Sequence, residues 1–401
     1  MEIVISDHDR PSVEDRKVEI VERKGLGHPD TICDALAEQF SVALSRFYLQ
    51  KFDLILHHNV DKVLLRGGVS QPAFGGGRVI SPIEVFFAGR ATTSFAGITV
   101  PVEELAVEAC RKWFRDHFHA LDAEAQIRVH CLIHPGSAEL VDLYMRQQRT
   151  GLWLANDTSC GLGYAPLSTL ERVVLEIENH LNAASTKAAH PQIGEDVKVM
   201  GIRNGQRIGL TVACAMVGRY LVDLHAYLDA KGVVADLARE AAQPIAHRGI
   251  CTAVNTADDP TTENVYLTVS GTSAEGGDDG GTGRGNRANG LIAPFRPMTL
   301  EAAAGKNAIT HVGKLYNIAA SAIATTLVDE LSTVIEADCV LVSRIGQPVV
   351  EPQIVNIVVR TANGQPVDAN IASGIREIAQ RKLNDIPTLW RDVIAGAVSL
   401  Y

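Results

Sequence analysis

The chain has no C-x-x-C pair, no apolar run long enough to cross a bilayer, no excess of basic charge and few aromatic residues. Its seven cysteines, at positions 33, 110, 131, 160, 214, 251 and 339, are scattered and odd in number. Buried free thiols are therefore expected rather than disulfides or a zinc site. The longest apolar stretches, Ile208 to Gly218 and Leu315 to Val328, fall short of the roughly 20 residues that a membrane helix requires. The N-terminus, Met1-Glu-Ile-Val-Ile-Ser-Asp-His-Asp9, has neither a basic n-region nor a signal-like apolar segment, so a cytoplasmic protein with no membrane partner is expected. Lys and Arg number 37 against 47 Asp and Glu, a formal net charge of −10. That balance argues against a general nucleic-acid or anionic-membrane binder, which needs a basic footprint, and leaves room for a local basic pocket.

With 46% hydrophobic, 21% charged and 5% aromatic residues, the 401-residue chain has the composition of an ordinary globular protein. Its length predicts two or three domains, and three units of about 130 residues fit best. Ile32, Leu36, Phe40, Leu44 and Phe47 recur at helical spacing after Pro29-Asp30, which predicts a helix over Pro29 to Gln50 with Asp30 in its first turn. Pro101 opens a second helix, and Ser168 with Glu171 forms a capping box for a third that runs to about Asn182. Alternation predicts strands at Lys62 to Gly67, Ile83 to Ala88, Ile127 to Ile133, Ile208 to Cys214, Val265 to Val269, Val340 to Arg344 and Ile354 to Arg360. Strands arriving in pairs between helices predict an α+β fold of mainly antiparallel sheets with helices on one face. The strand-pair-plus-helix unit recurs about three times. A rough split is 1–135, 136–260 and 261–401.

Glu275-Gly-Gly-Asp-Asp-Gly-Gly-Thr-Gly-Arg-Gly-Asn-Arg287 is the most unusual segment. Residues without Cβ let backbone N–H groups converge on an anion, Arg284 and Arg287 supply forked donors, and Asp278 or Asp279 can hold a divalent cation. A polyphosphate with its metal needs that set; a plain surface loop, or an arginine-glycine tract that holds RNA loosely, has a similar composition. Gly305-Lys306-Asn307 lacks the earlier glycine and the following Ser/Thr of a P-loop. Pro294 and Pro297 block the helix that a dinucleotide fold would place after Gly283-x-Gly285. Lys306 is either a point-charge phosphate ligand or a solvated lysine. Gly25-Leu-Gly-His-Pro-Asp30 sets an imidazole and a carboxylate at the mouth of the first helix, suited to a leaving oxygen and a metal, or simply to a tight turn. His57-His-Asn-Val-Asp61 reads as following a strand, with the two histidines on opposite faces and so unable to share one ion. The segments Asn156 to Tyr164 and from Asp196-Val-Lys198 read as polar loops. Gly75-Gly-Gly77 reads as a turn.

Taken together, Gly25 to Asp30, Asn156-Asp157 with Gly161-Leu-Gly-Tyr164, Gly276 to Arg284, Gly305-Lys-Asn307 and Ile345-Gly with Val350-Glu-Pro352 resemble, in order, the methionine adenosyltransferases (S-adenosylmethionine synthetases) in their archaeal-type branch. The resemblance runs from about residue 20 to residue 360. It implies three similar domains about a pseudo-threefold axis, built from discontinuous segments, in a homodimer with active sites between subunits. It also implies that methionine sulfur displaces the whole triphosphate from the ATP 5′-carbon, with Mg2+ and K+, and that the tripolyphosphate is then cut to pyrophosphate and phosphate.

By position, the resemblance implies His28 near the ribose 5′-oxygen, Asp30 and Asp278 (or Asp279, one residue on) with magnesium, and Lys198, Arg284 and Lys306 on the phosphates. Asp157 is implied for substrate and Ile345 for the adenine, while Asn59 and Asp61 fall near the methionine and cation sites. Residues 134–150 fall where the family has a mobile loop, with Gly136 and Gly151 as hinges. Thr31 and the run Asn307-Ala-Ile-Thr-His-Val312 depart from the bacterial and eukaryotic pattern, with His311 a substitute ligand. Two other readings are kept: a phosphohydrolase or ATP-dependent ligase that uses the same loop, and a catalytically silent nucleotide-binding homologue.

Overall fold

The computed structural model describes residues 1–136, 152–246, 249–362 and 364–401. Three four-position sheets follow one plan. In the first, the helix Pro29–Phe52 leads into antiparallel strands His58–Arg66 and Ile83–Ala91, and the helix Val102–His117 returns the chain to Ile127–Pro135, parallel to Ile83–Ala91. The second repeats this with helix Thr169–Asn182, strands Ile193–Asn204 and Arg207–Val217, helix Leu224–Ala242 and the parallel strand Ile250–Val254. The third uses helix Val312–Glu330, strands Val334–Val342 and Ile354–Thr361, and helix Ala369–Asp385. Its parallel position is filled from the other end of the chain by Glu2–Asp7.

The fourth position of each sheet goes to a strand from elsewhere in the chain. Gly280–Gly281 pairs with His58–Arg66, Val18–Lys24 with Ile193–Asn204, and Cys160–Ala165 with Val334–Val342. The fold is thus α+β and antiparallel-rich, and these crossing strands tie the three cores together.

Local chemistry explains the helix starts. His28 caps the first helix by accepting the Asp30 N–H at 3.2 Å, and Pro29 needs no partner for a missing donor. The Ser168–Glu171 capping box forms in both directions, at 3.0 and 2.6 Å. Alternation along His58–Arg66 buries Val63 and Leu65 beneath the helices and leaves Leu64 outward.

Several elements differ from the sequence reading. His58 to Asp61 opens a strand instead of following one, with His57 just before it. Asp196-Val-Lys198 lies inside a long strand, where a bulge between Ile193 and Val197 breaks the alternation that would have revealed it. Cys160 to Tyr164 likewise belongs to a strand. Val265 to Val269 contracts to Leu267–Thr268, and the strand read at Val340 to Arg344 starts at Val334 and stops at Val342. In agreement with the block set by Pro294 and Pro297, no helix follows the glycine-rich loop before residue 312. Of the loop at 134–150, His134 and Pro135 end a strand, and 137–151, with Gly151, lie outside the described residues.

Candidate functional site

The turn before the first helix is pressed against the neighbouring sheet. Gly25 donates its N–H to the Val197 carbonyl at 2.8 Å, and a Cβ at Gly25 would sit 2.1 Å from that oxygen, so only glycine fits. This contact brings His28 beside the strand that carries Asp196 and Lys198. Asp196 is buried, accepting from Tyr266 Oη at 3.1 Å and Ser273 Oγ at 2.6 Å, and burial raises its pKa against the pull of His28. Burial lowers the pKa of His28, with Asp196 and Asp30 opposing. Because Nδ1 accepts the Asp30 N–H, the ring proton of neutral His28 sits on Nε2, which makes that atom a donor.

Asp30 is buried, with one oxygen on Lys24 Nζ at 2.8 Å and the other accepting the Gly281 N–H at 3.0 Å. Lys24 also donates to the Arg284 carbonyl at 2.9 Å. The Arg284 guanidinium, 3.8 Å from Asp30, leaves 78% of its side chain exposed. Lys198 pairs with Glu22 at 3.0 Å in the cross-strand position next to Lys24. Four cationic or imidazole groups, His28, Lys24, Lys198 and Arg284, thus converge where the glycine-rich loop crosses the helix start. Such an arrangement suits an anion.

Other predicted residues have different surroundings. Arg287 donates to the carbonyls of Thr299, Gly283 and Gly285 at 3.0, 2.6 and 2.8 Å, so its fork shapes the loop from within. Asp279 accepts the Gly67 N–H at 2.9 Å, and Asp278 beside it is exposed. Asn59, Asp61 and Asp157 share a separate cleft of about 290 Å³ with His57, Arg90, Asn156 and His311. Among the described residues, Asn59 and Asn156 each keep a buried carbonyl oxygen without a partner, as His57 keeps Nε2. Ile345 is 53% exposed, and its N–H donates to Thr158 Oγ1 at 3.1 Å beside the Asp157 turn.

Lys306 is buried beneath this cleft. Its ammonium pairs with Asp61 and, at 2.7 Å, with Glu301. Burial alone would lift Asp61, but Lys306 and Lys62 reverse this and bring its pKa below the ordinary carboxylate value. Asp61, Glu301 and His311 offer ligand atoms within 4.8 Å of one another, the one such group of three among the described residues, and it includes neither Asp30 nor Asp278. The Lys306 ammonium already supplies the positive charge there, so those three residues fit a metal only once it moves. A larger cavity of about 980 Å³ touches Gly283, Arg287 and Asp34 but none of His28, Asp30, Lys198, Arg284 or Lys306.

Sequence reasoning missed Lys24, Asp196 and Glu301. Lys24 lies six residues before Asp30 and carried a signal in its position just ahead of the Gly25 motif. Asp196, beside the Lys198 that the sequence did mark, meets His28 only through contacts far along the chain, and Glu301, five residues before Lys306, lies in no motif that would mark it. Asp34, also missed, is one helical turn beyond Asp30; it accepts the Gly283 N–H at 2.8 Å, and burial pushes its pKa up to about 7.

Fold and site together define an α+β protein whose glycine-rich, cation-bearing loops suit a phosphate-rich ligand. The family model described as S-adenosylmethionine synthetase (AdoMet synthetase) matches residues 1–397, and the chain belongs to that family. It is 50% identical over 390 residues to the probable S-adenosylmethionine synthase of Aquifex aeolicus, covering 97% of each chain. The S-adenosylmethionine synthase of Aeropyrum pernix is 47% identical over 407 residues, covering 100% of this chain and 99% of that one. These are relatives of the archaeal and Aquifex type. Among solved structures, an unusual S-adenosylmethionine synthetase from Campylobacter jejuni aligns with TM-score 0.62 at 14% identity, over 95% of this chain and 94% of that one, a likeness of fold.

Proposed function

We propose that this chain makes S-adenosylmethionine from ATP and L-methionine by attack of the methionine sulfur on the ATP 5′-carbon, and then hydrolyses the released tripolyphosphate to pyrophosphate and phosphate. The observation that carries this reading is the convergence of His28, Lys24, Lys198 and Arg284 at the glycine-rich loop, in a member of this family. A thioether is nucleophilic without a base. The protein's work is therefore orientation and stabilisation of charge on the departing triphosphate.

In this mechanism His28 Nε2–H donates to the 5′-oxygen as charge develops there, and its lowered pKa keeps it a neutral donor at pH 7. Arg284 and Lys198 hold the phosphate chain. Lys306 joins them by exchanging its carboxylate partners for phosphate. Asp278, exposed, and Asp30, once it releases Lys24, are oxygen donors of the type that hard cations take, and Mg2+ held by them would neutralise phosphate charge. The family resemblance adds K+.

Asn59, Asp61 and Asp157 fit methionine, whose ammonium suits a carboxylate-lined cleft, and Ile345 offers an exposed apolar face to the adenine. Each sheet with its helix pair is read as one of three interleaved domains, in a cytoplasmic homodimer with sites between subunits. The outward Leu64 and Leu132, more than half exposed on one sheet face, support such an interface.

The test is to incubate the purified protein with ATP, Mg2+ and K+, with and without methionine. Equal amounts of S-adenosylmethionine, pyrophosphate and phosphate, appearing only with methionine, are expected. Phosphate without a sulfonium product would replace this reading with a phosphohydrolase or ligase, and ATP binding without turnover would replace it with a silent homologue.

A further inference from the structure

The helix Pro29–Phe52 carries three buried carboxylates at i, i+4 and i+8: Asp30, Asp34 and Glu38. That spacing lines them along one face. Each accepts a backbone N–H from a glycine in one of two distant loops. Asp30 takes Gly281 at 3.0 Å, Asp34 takes Gly283 at 2.8 Å and Glu38 takes Gly305 at 2.9 Å. One further turn along, Ser41 Oγ donates to the Lys306 carbonyl at 3.1 Å. The loops held in this way carry Arg284 and Lys306.

Burying acids on a helix is costly, and apolar residues would fill the space at lower cost. Two of the three have a matching cation, Lys24 for Asp30 and Lys314 for Glu38 at 2.7 Å. Among the described residues, Asp34 has no ammonium or guanidinium within ion-pair distance, and its second oxygen has no hydrogen-bond partner. Stabilisation by charge pairing does not explain Asp34. Holding Gly283 does. Gly283 is gripped through both of its flanking peptide units, because Arg287 donates to the Gly283 carbonyl at 2.6 Å while Asp34 accepts the Gly283 N–H. A Cβ at Gly285 would lie 2.6 Å from the free Asp34 oxygen, so the loop also lies directly against this rung.

We propose that Asp34 and Glu38, with Asp30, form a carboxylate ladder that sets the two phosphate-binding loops in register along one helix, and that Asp34 and Glu38 act as positioning residues for Arg284 and Lys306. The loops' role is the one proposed above, and the inference rests on that reading. The ladder fixes the spacing between two cations about 20 residues apart in sequence through a rigid rod instead of through the intervening chain.

Hydrogen exchange tests the ladder without relying on catalysis. In the unaltered protein, the amides of Gly281, Gly283 and Gly305 exchange at least about tenfold more slowly than that of Gly97, which is exposed in a tight turn, the size expected of one hydrogen bond to a carboxylate. Asp34→Ala speeds exchange across 279–287 by about tenfold, and Asp34→Asn, which keeps a carbonyl oxygen for Gly283, stays close to the unaltered protein. By calorimetry, the affinity for magnesium tripolyphosphate drops about tenfold in Asp34→Ala and recovers in Asp34→Asn, while KM for methionine holds.

Unprotected Gly281, Gly283 and Gly305 amides would overturn the ladder even if the alanine variant did not fold. So would an asparagine variant as fast as the alanine one, or tripolyphosphate binding unchanged by Asp34→Ala. A protein with protected glycine amides that neither binds tripolyphosphate nor makes S-adenosylmethionine would instead remove the proposed function and, with it, the ladder's purpose.

Discussion

Arg284 and Lys306 carry the same charge and sit on the two loops that the first helix holds, yet their electrostatic situations are opposite. Arg284 is 78% exposed, with one carboxylate at 3.8 Å. Lys306 is 4% exposed and already neutralised by Asp61 and Glu301. A cation in the first state is available to an incoming anion at little cost, whereas one in the second must give up its partners. Two residues that look alike as phosphate ligands in sequence should therefore separate by experiment into one that serves binding and one that also serves stability.

Lys306→Met should show the largest effect, because it leaves the Asp61 carboxylate buried with only the solvent-facing Lys62 at 2.5 Å. Breaking a buried pair from one side costs about 3–5 kcal/mol. Denaturant unfolding should report that loss, and adding Asp61→Asn should recover much of it. A single variant as stable as the parent would remove the claim that Lys306 is bound into the fold.

Arg284→Ala should come next and act on the reaction alone. Its exposure predicts unfolding within about 0.5 kcal/mol of the parent. Loss of one preorganised donor to the departing phosphate predicts a fall of about a hundredfold in kcat/KM for ATP. Full turnover by this variant would dismiss the phosphate assignment. A large stability loss would erase the contrast with Lys306.

What the sequence made legible follows from how local each feature is. The His28 cap, the Ser168 box and the glycine-rich run depend on neighbours within a few residues. The α+β class was readable from strand pairs for the same reason. Val312–Glu330 was hidden because it is buried nearly all round, from Val312 through Leu327, so no polar stripe marks a helical period. The edge strand Glu2–Asp7 was hidden because its partner, Ile354–Thr361, lies at the far end of the chain. The site divides along the same line. His28 and Asp30 announce themselves in one motif, but Asp196 becomes a neighbour of His28, and Asp61 of Lys306, only through contacts that span much of the chain.

The smallest effect separates the two ends by pH. In the cleft above Lys306, burial pushes His57 down to about 4, with Arg90 adding to the shift, and in the core behind it burial takes His58 to about 3 against a hydrogen bond to the Leu56 carbonyl. Both are neutral in the folded protein at pH 5, while in the unfolded chain they titrate near 6.5. A histidine whose folded pKa is depressed leaves stability intact above about 6.5, and stability falls with acid as the unfolded state takes up protons that the folded state refuses. Each such histidine contributes a slope approaching about 1.4 kcal/mol per pH unit between its folded value and 6.5. At the loop end His28 is lowered too, but Asp196 and Asp30 oppose the shift, so its share is smaller. Denaturant unfolding at pH 7.5, 6 and 5 should therefore show acid destabilisation, with a shallower slope in His57→Gln than in the parent. Equal slopes would mean that His57 is free to charge in the folded protein, and the cleft would then be as open to charge as the loop that carries Arg284.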